Sequence, residues 1–305
     1  MTGRRGVSLP FTDYCEPISN GKIGFLHLFN QVIEFGRKHG WKYIELRGGY
    51  SLNSDSFFLN SEITRNSQPL PAEASAQAGE TRNIIPSSTY LGHTLPLEKG
   101  EQSLYKGLRD STKRNIKKAK AEGVEVRISD QPESIDQFCS LNSLTRKRHG
   151  LPPQPFSFFK NMFELVIKKG HGFVILGFYE GKAIAASVFF HFGKKAVYKY
   201  GASDLSYQHL RANNLVMWEA IKWYSQAGYE SLCFGRTEPE NQGLIQFKSG
   251  WGTTEQQINY YRYDLIKEAF IAGSSNVAGF HNRIFRRMPI PILNRIGNIL
   301  YRHVG

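Results

Sequence analysis

Ten segments of regular hydrophobic periodicity follow one another between Val124 and Tyr263, and their order admits few folds. Val124–Ser129 alternates apolar and polar residues as a short strand does. Pro132–His149 carries Ile135, Phe138, Cys139, Leu141 and Leu144 at helical spacing, and Gly150-Leu151-Pro152-Pro153 stops it. Phe156–Lys169 repeats the helical pattern with Phe159, Met162, Phe163 and Val166 on one face. Three strands follow, Gly172–Tyr179, Ala183–Phe192 and Ala196–Gly201, separated by the hairpin turns Glu180-Gly181-Lys182 and Gly193-Lys194. A helix over Leu210–Ala227 ends at Gly228. A strand at Ser231–Phe234, a short helix at Gln242–Ser249 and a strand at Gln257–Tyr263 complete the series. The order β-α-α-β-β-β-α-β-α-β is an α+β arrangement. Within Tyr198–Trp251, two strand ends present polar groups beside a helix N-terminus that can hold an anion. Transferase sites are commonly built in this way.

The chain has 305 residues, 40% of them apolar, enough for two cores. Its formal charge of +13 admits an anionic partner: RNA, a sugar nucleotide, a phospholipid-linked sugar or a membrane face. A solvated basic surface is the plainer reading of the same charge. Cys15, Cys139 and Cys233 are odd in number and far apart, which fits a reduced, cytoplasmic setting better than a disulfide framework. Neither the cysteines nor the nine histidines have metal-ligand spacing, so no metal is expected. Met1–Pro10 lacks the apolar core of a signal peptide, and no apolar run reaches the roughly 18 residues of a membrane span.

Four segments are expected. Residues 1–98 hold strand candidates at Val7–Phe11, Tyr43–Leu46, Phe57–Leu59 and Tyr90–Leu97, a helix at Gly24–His39, and a Pro/Ala/Ser-rich loop insertion over about 68–89. Residues 101–122 form a basic connecting helix, where seven lysines and arginines face two acids across Lys106–Glu122. That face is either solvated or guides anions towards a site. Residues 123–265 are the unit described above. Residues 266–305 carry six basic residues and one Glu, with isoleucines alternating among Arg283, Arg286, Arg287, Arg295 and Arg302. This tail either packs on the body or lies on an anionic membrane, peripheral on its inner face.

Particular strings then become informative: Ser111-Thr112-Lys113-Arg114-Asn115-Ile116 before Gly123-Val124; Tyr200-Gly201-Ala202-Ser203; Arg211-Ala212-Asn213-Asn214-Leu215; Phe234-Gly235-Arg236-Thr237; and Phe247-Lys248 before Trp251-Gly252. Together with the element order they resemble the FemAB-like proteins of the GNAT acyltransferase fold. Ser8–Pro17 (SLPFTDYCEP) is similar to the branch associated with exopolysaccharide or exosortase systems. The resemblance implies two GNAT-like units, the N-terminal one incomplete because its opening strands are missing, with the transferase site in the second. Well-known relatives move an amino acid from aminoacyl-tRNA to a peptidoglycan-precursor amine.

Attack of an amine on an acyl ester or thioester needs a neutral amine and a stabilised oxyanion. Lys248, in the motif the relatives use near the transferred group, suits the oxyanion; a lysine lying along its helix is the rival reading. Tyr198 and Tyr200 alternate with Lys199 between them and are expected on one strand face, where Tyr200 positions the acceptor. Asp204 is the nearest acid to take the amine proton, or else a helix cap. Arg211, Asn213 and Asn214 stand where CoA-dependent GNAT enzymes carry a (Q/R)xxGx(G/A) turn; here it reads Gln208-His209-Leu210-Arg211-Ala212-Asn213, without glycine, which weighs against a standard acetyl-CoA cradle. Arg236 and Arg114 complete the substrate-binding candidates. The resulting expectation is an acyl or aminoacyl transferase forming an amide on an anionic envelope precursor of peptidoglycan or exopolysaccharide. No bound cofactor is required, and the donor is aminoacyl-tRNA or acyl-CoA. The alternatives are a CoA-dependent N-acyltransferase and a non-catalytic binder of RNA or anionic glycan.

Overall fold

The computed structural model describes residues 4–9, 12–15, 17–18, 21–48, 84–273 and 281–301. The chain forms two compact units, one of residues 1–90 with 257–275 and the other of 91–256 with 276–305.

In the first unit, β1 (Arg5–Val7) runs parallel to β2 (Tyr43–Arg47). β2 pairs antiparallel with β9 (Thr254–Asp264), which pairs in turn with β10 (Ala269–Ile271). Helix α1 (Gly21–Lys38) covers this sheet because Phe25, Phe29 and Ile33 recur at helical spacing and bury against Ile44, Tyr261 and Tyr263. Of the strand expected at Val7–Phe11, Val7 ends β1, Ser8 and Leu9 are bends, and Pro10 and Phe11 lie outside the described residues. Phe57–Leu59 and residues 68–83 of the expected insertion lie outside the described residues.

The second unit is a mixed sheet in the order β3 (Ser88–Pro96), β8 (Ser231–Thr237), β7 (Lys195–Ser203), β6 (Lys182–Phe192), β5 (Gly172–Tyr179), β4 (Glu125–Ser129). All neighbours are antiparallel except β7 and β8. β5 (GFVILGFY) is buried along nearly its whole length, since helices cover both its faces. One face carries α4 (Glu133–Arg148) and α5 (Phe156–Met162), which runs on as a π-helical turn at Phe163–Ile167. The other carries α2 (Gly100–Gly107), α3 (Asp110–Ala121) and α6 (Ala212–Gln226). The remaining helices are α7 (Gln242–Ser249), α8 (His281–Arg287) and α9 (Ile290–Leu300).

Three expectations are corrected here. The basic helix over 101–122 is two helices, because Leu108 and Arg109 are both extended, with ψ of 145° and 144°. The helix expected to start at Leu210 starts at Ala212, after a 3-10 turn at Leu205–Leu210 and a left-handed Arg211. Tyr198 and Tyr200 do not share a face. Across the β6–β7 ladder Val188 pairs with Tyr200 and Phe189 with Tyr198, so Lys199 is the extra residue of a β-bulge and simple alternation fails. Tyr198 packs towards Phe189 and Phe234, while Tyr200 packs among Phe138, Phe158 and Phe159.

Candidate active site

Strands β7 and β8 are paired only from Lys195–Val197 against Ser231–Cys233. A cleft of about 350 Å³ lies near the far end of β7. Its walls come from Ile184 and Ala185 of β6, Ser203 at the end of β7 and Asp204 after it, the first turns of α3 and α6, and the cleft-facing side of α7.

The first turn of α6 holds no acidic residue, so its amide dipoles are not neutralised from within the helix. Arg211 precedes it with φ 60°, in the position of the motif glycine and in a left-handed conformation that glycine adopts without cost. For a residue with a Cβ this conformation costs about 1–2 kcal/mol. The turn therefore holds a glycine-favoured conformation without glycine and carries a guanidinium at the cleft. Asn213 and Asn214 follow it as lining residues.

Arg109 is the second cationic wall. The break at Leu108–Arg109 turns α3 so that Ser111, Thr112 and Asn115 face the same cavity. The Arg109 guanidinium donates to the Gln246 carbonyl at 3.2 Å and to Ser249 Oγ at 2.9 Å, which ties α3 to α7. Gln208, Gln246 and Tyr207 add further hydrogen-bonding groups. Apart from the Ser111–Ile116 string and Gln208 of the glycine-free turn, none of these was singled out in the sequence. The signal that could have revealed Arg109 was the Leu108-Arg109-Asp110-Ser111 stretch, whose acid and hydroxyl suit a helix start better than a helix interior.

Asp204 lines the cleft as a cap. Its Oδ1 accepts from the Ser206 amide at 3.0 Å and its Oδ2 accepts from Lys182 Nζ at 3.2 Å. Burial pushes its carboxyl up, but the bonds from Ser206 and Lys182 outweigh this and hold it below the usual carboxylate range. A carboxylate so stabilised is a weak base. Lys182, whose own pKa is raised chiefly by that hydrogen bond to Asp204, neutralises it. The cleft is thus governed by two guanidiniums.

The other sequence candidates lie elsewhere. Lys248 is 2% exposed and is not among the cleft-lining residues. Its ammonium donates to the carbonyls of Gly235 at 2.9 Å and Arg236 at 3.0 Å. Gly235 has φ 70°, a kink in β8 that a residue with a Cβ would resist. In this structure, then, Lys248 binds the backbone of the kinked strand and lies outside the lining of the cleft. Tyr198 is pushed up to about 12 by burial, with Ser187 pulling the other way through a hydrogen bond, so its phenol stays neutral and is a poor proton donor. Tyr200 lies in the aromatic cluster under α4 and α5. Arg236 is half-buried on β8, and Arg114 points outward from α3; neither lines the cleft.

One polar neighbour of Lys248 was missed in the sequence. His93 is completely buried beside the bulge in β3, with Nε2 3.2 Å from Glu255 Oε2. Burial first, and then the Lys248 charge, push the imidazole below its ordinary value, with Glu255 offsetting part of the shift. A lone histidine in an alternating strand gives no sign of this surrounding.

Among the described residues there is no cluster of metal-ligating side chains and no helix long and apolar enough to cross a membrane. The three cysteines are free thiols.

Residues 106–249 match the family model described as an acetyltransferase (GNAT) domain. No curated protein matches the chain in sequence. Among solved structures, FemX superposes with a TM-score of 0.59 at 14% identity, over 81% of this chain and 78% of FemX. The C-terminal domain of a protein described as a lysylphosphatidylglycerol synthetase, from Agrobacterium fabrum, superposes with a TM-score of 0.54 at 13% identity, over 85% of this chain and 78% of that one. The fold class is GNAT-like, as the element order suggested, and residues 106–249 carry an acyltransferase domain.

Proposed function

We propose that the chain transfers an acyl group, foremost an aminoacyl group, from an activated ester to an amine on an anionic cell-envelope component. The observation that carries this reading is the cleft: two guanidiniums, four helix-borne carboxamides and an acid-free helix start converge at the end of β7. Arg211 and the first turn of α6 suit phosphate oxygens, because a guanidinium and free amide hydrogens both favour an anion. Asn115, Asn213, Asn214 and Gln246, with Gln208 beside them, suit sugar hydroxyls and amide groups, since each carboxamide both donates and accepts. The FemAB-like resemblance supplies aminoacyl-tRNA as the donor, and the name of the Agrobacterium relative joins lysine to an anionic lipid.

In the reaction the neutral amine nitrogen attacks the ester carbonyl and a C–N bond forms. The oxyanion then collapses, the C–O bond breaks, and the leaving hydroxyl carries off the proton that the amine gives up. Lys248 acts in this scheme as a positioning residue: it holds the carbonyls of Gly235 and Arg236 and so sets the path of β8.

Acyl-CoA is the second donor to consider, because Arg211, at the position of the motif glycine, takes a left-handed conformation that glycine favours. One screen separates the two: labelled aminoacyl-tRNA and labelled acyl-CoA, each offered with amine-bearing envelope precursors. Transfer from the charged tRNA, weakened at least about tenfold in R211A, is the expected result. Transfer from acyl-CoA alone would move the chain to the CoA-dependent class. Failure of both donors would sink the proposal.

A further inference from the structure

The tail is docked by one side of α9 only. Leu293 is completely buried and Gly297, one turn on, is buried too. A Cβ at Gly297 would meet the Pro153 carbonyl oxygen, so glycine is what allows this close approach. Asn294 Oδ1 accepts from Ser143 Oγ at 3.3 Å on one flank, and Tyr301 meets Phe158 edge-on at the end of the helix. These contacts fix how α9 is turned.

The other flank has no such cover. Ile292, Ile296 and Ile299 are spaced i, i+4, i+7 and form one stripe; Ile292 is 49% exposed and Ile299 64%. Arg295 borders the stripe. Just before it, α8 exposes Ile284 with Arg283, Arg286 and Arg287, and none of these four arginines is ion-paired among the described residues. The cationic character continues onto the end of α4, where the His149 pKa is lowered by burial first and then by Arg148, Arg146 and Arg286.

We propose that α8 and α9 form a docking face for an anionic lipid surface, with the isoleucine stripe entering the headgroup boundary and the arginines meeting lipid phosphates. Apolar residues beside unpaired cations are the composition of an interfacial helix. RNA is disfavoured as the occupant because the face offers branched aliphatic chains where stacking of bases needs exposed aromatic rings. This inference concerns binding and is read without substrate, so it stands or falls separately from the transfer reaction.

The test is co-sedimentation of the full chain with vesicles of phosphatidylglycerol and phosphatidylcholine, against vesicles of phosphatidylcholine alone. Binding is expected only to the anionic vesicles and should weaken as salt rises. The triple variant R286Q/R287Q/R295Q should lower partitioning by about 100-fold. I292S/I299S should lower it as well with little change in the thermal midpoint of the chain, because about half or more of each residue is already in solvent. Equal binding to neutral vesicles, or undiminished binding by both variants, would overturn the proposal. So would a dimer of the wild type in sedimentation velocity that I292S/I299S abolishes, since the stripe would then belong to a second copy. Competition by RNA that strips the chain from anionic vesicles and persists in I292S/I299S would overturn it in favour of a nucleic-acid face.

Discussion

Gln246 and Phe247 border an open cleft that also holds Arg109 and Arg211, whereas Lys248, the next residue of the same helix, is sealed against two carbonyls of β8 with His93 and Glu255 nearby. Both neighbourhoods are polar and cationic, and both derive from motifs that look functional in the sequence. The open one presents the Arg211 guanidinium to a ligand, while Arg109 also ties α3 to α7. The sealed one satisfies its charge within the protein and thereby fixes the shape of the strand beside the cleft. The identity of a charged residue therefore says less about its task than the number of backbone acceptors within its reach.

Breaking the sealed side should have the largest effect. Lys248→Met removes two charge-assisted hydrogen bonds and leaves the Gly235 and Arg236 carbonyls without that donor, so unfolding in urea should show a loss of about 3–4 kcal/mol. A loss below about 1 kcal/mol, with transfer abolished in a folded protein, would instead place Lys248 at the reacting carbonyl. Breaking the open side should leave stability alone and cost ligand. Arg211→Ala should weaken binding of inorganic pyrophosphate roughly tenfold or more by isothermal titration. Arg211→Gly sharpens the contrast further. Removing the strained left-handed side chain should raise stability by up to about 1 kcal/mol while the affinity falls as in the alanine variant.

The smallest expected effect is a pH dependence. Folded His93 releases its proton below the ordinary value of 6.5. Between those two values the unfolded chain binds more protons than the folded chain, so stability rises with pH there. The contribution is complete above about pH 6.5 and is lost as the pH falls through the folded value. His149 and His191 are shifted the same way, both mainly by burial, so the slope should persist in part after His93→Gln. Urea midpoints between pH 5 and 7.5 measure the difference, and an unchanged slope in H93Q would show that His93 is not buried in the neutral form.

The element order over 124–263 was legible because the longer helices there are periodic and Gly or Pro residues punctuate the short elements between them. The cleft was legible in part: Asp204, Arg211, Asn213 and Asn214 line it, and all four follow a strand end or open a helix. Local periodicity misled at Tyr198 and Tyr200, where the extra Lys199 in a bulge changes which face follows. It also hid the break at Leu108–Arg109, because the apolar stripe runs through it, although Gly107 before it and Asp110-Ser111 after it are the residue types of a helix end and a helix start.

By itself the sequence determined which segments become strands and helices, the excess of cationic charge, and the acid-free, asparagine-rich start of α6. These follow from neighbours within a few residues. Tertiary structure alone decided that Arg109 would meet Arg211 across a cavity, that Lys248 would face strand carbonyls, and that one stripe of α9 would stay in solvent while Leu293 and Gly297 were buried. Those outcomes depend on hydrogen-bond acceptors and packing partners that lie tens of residues away, and local periodicity carries no record of them.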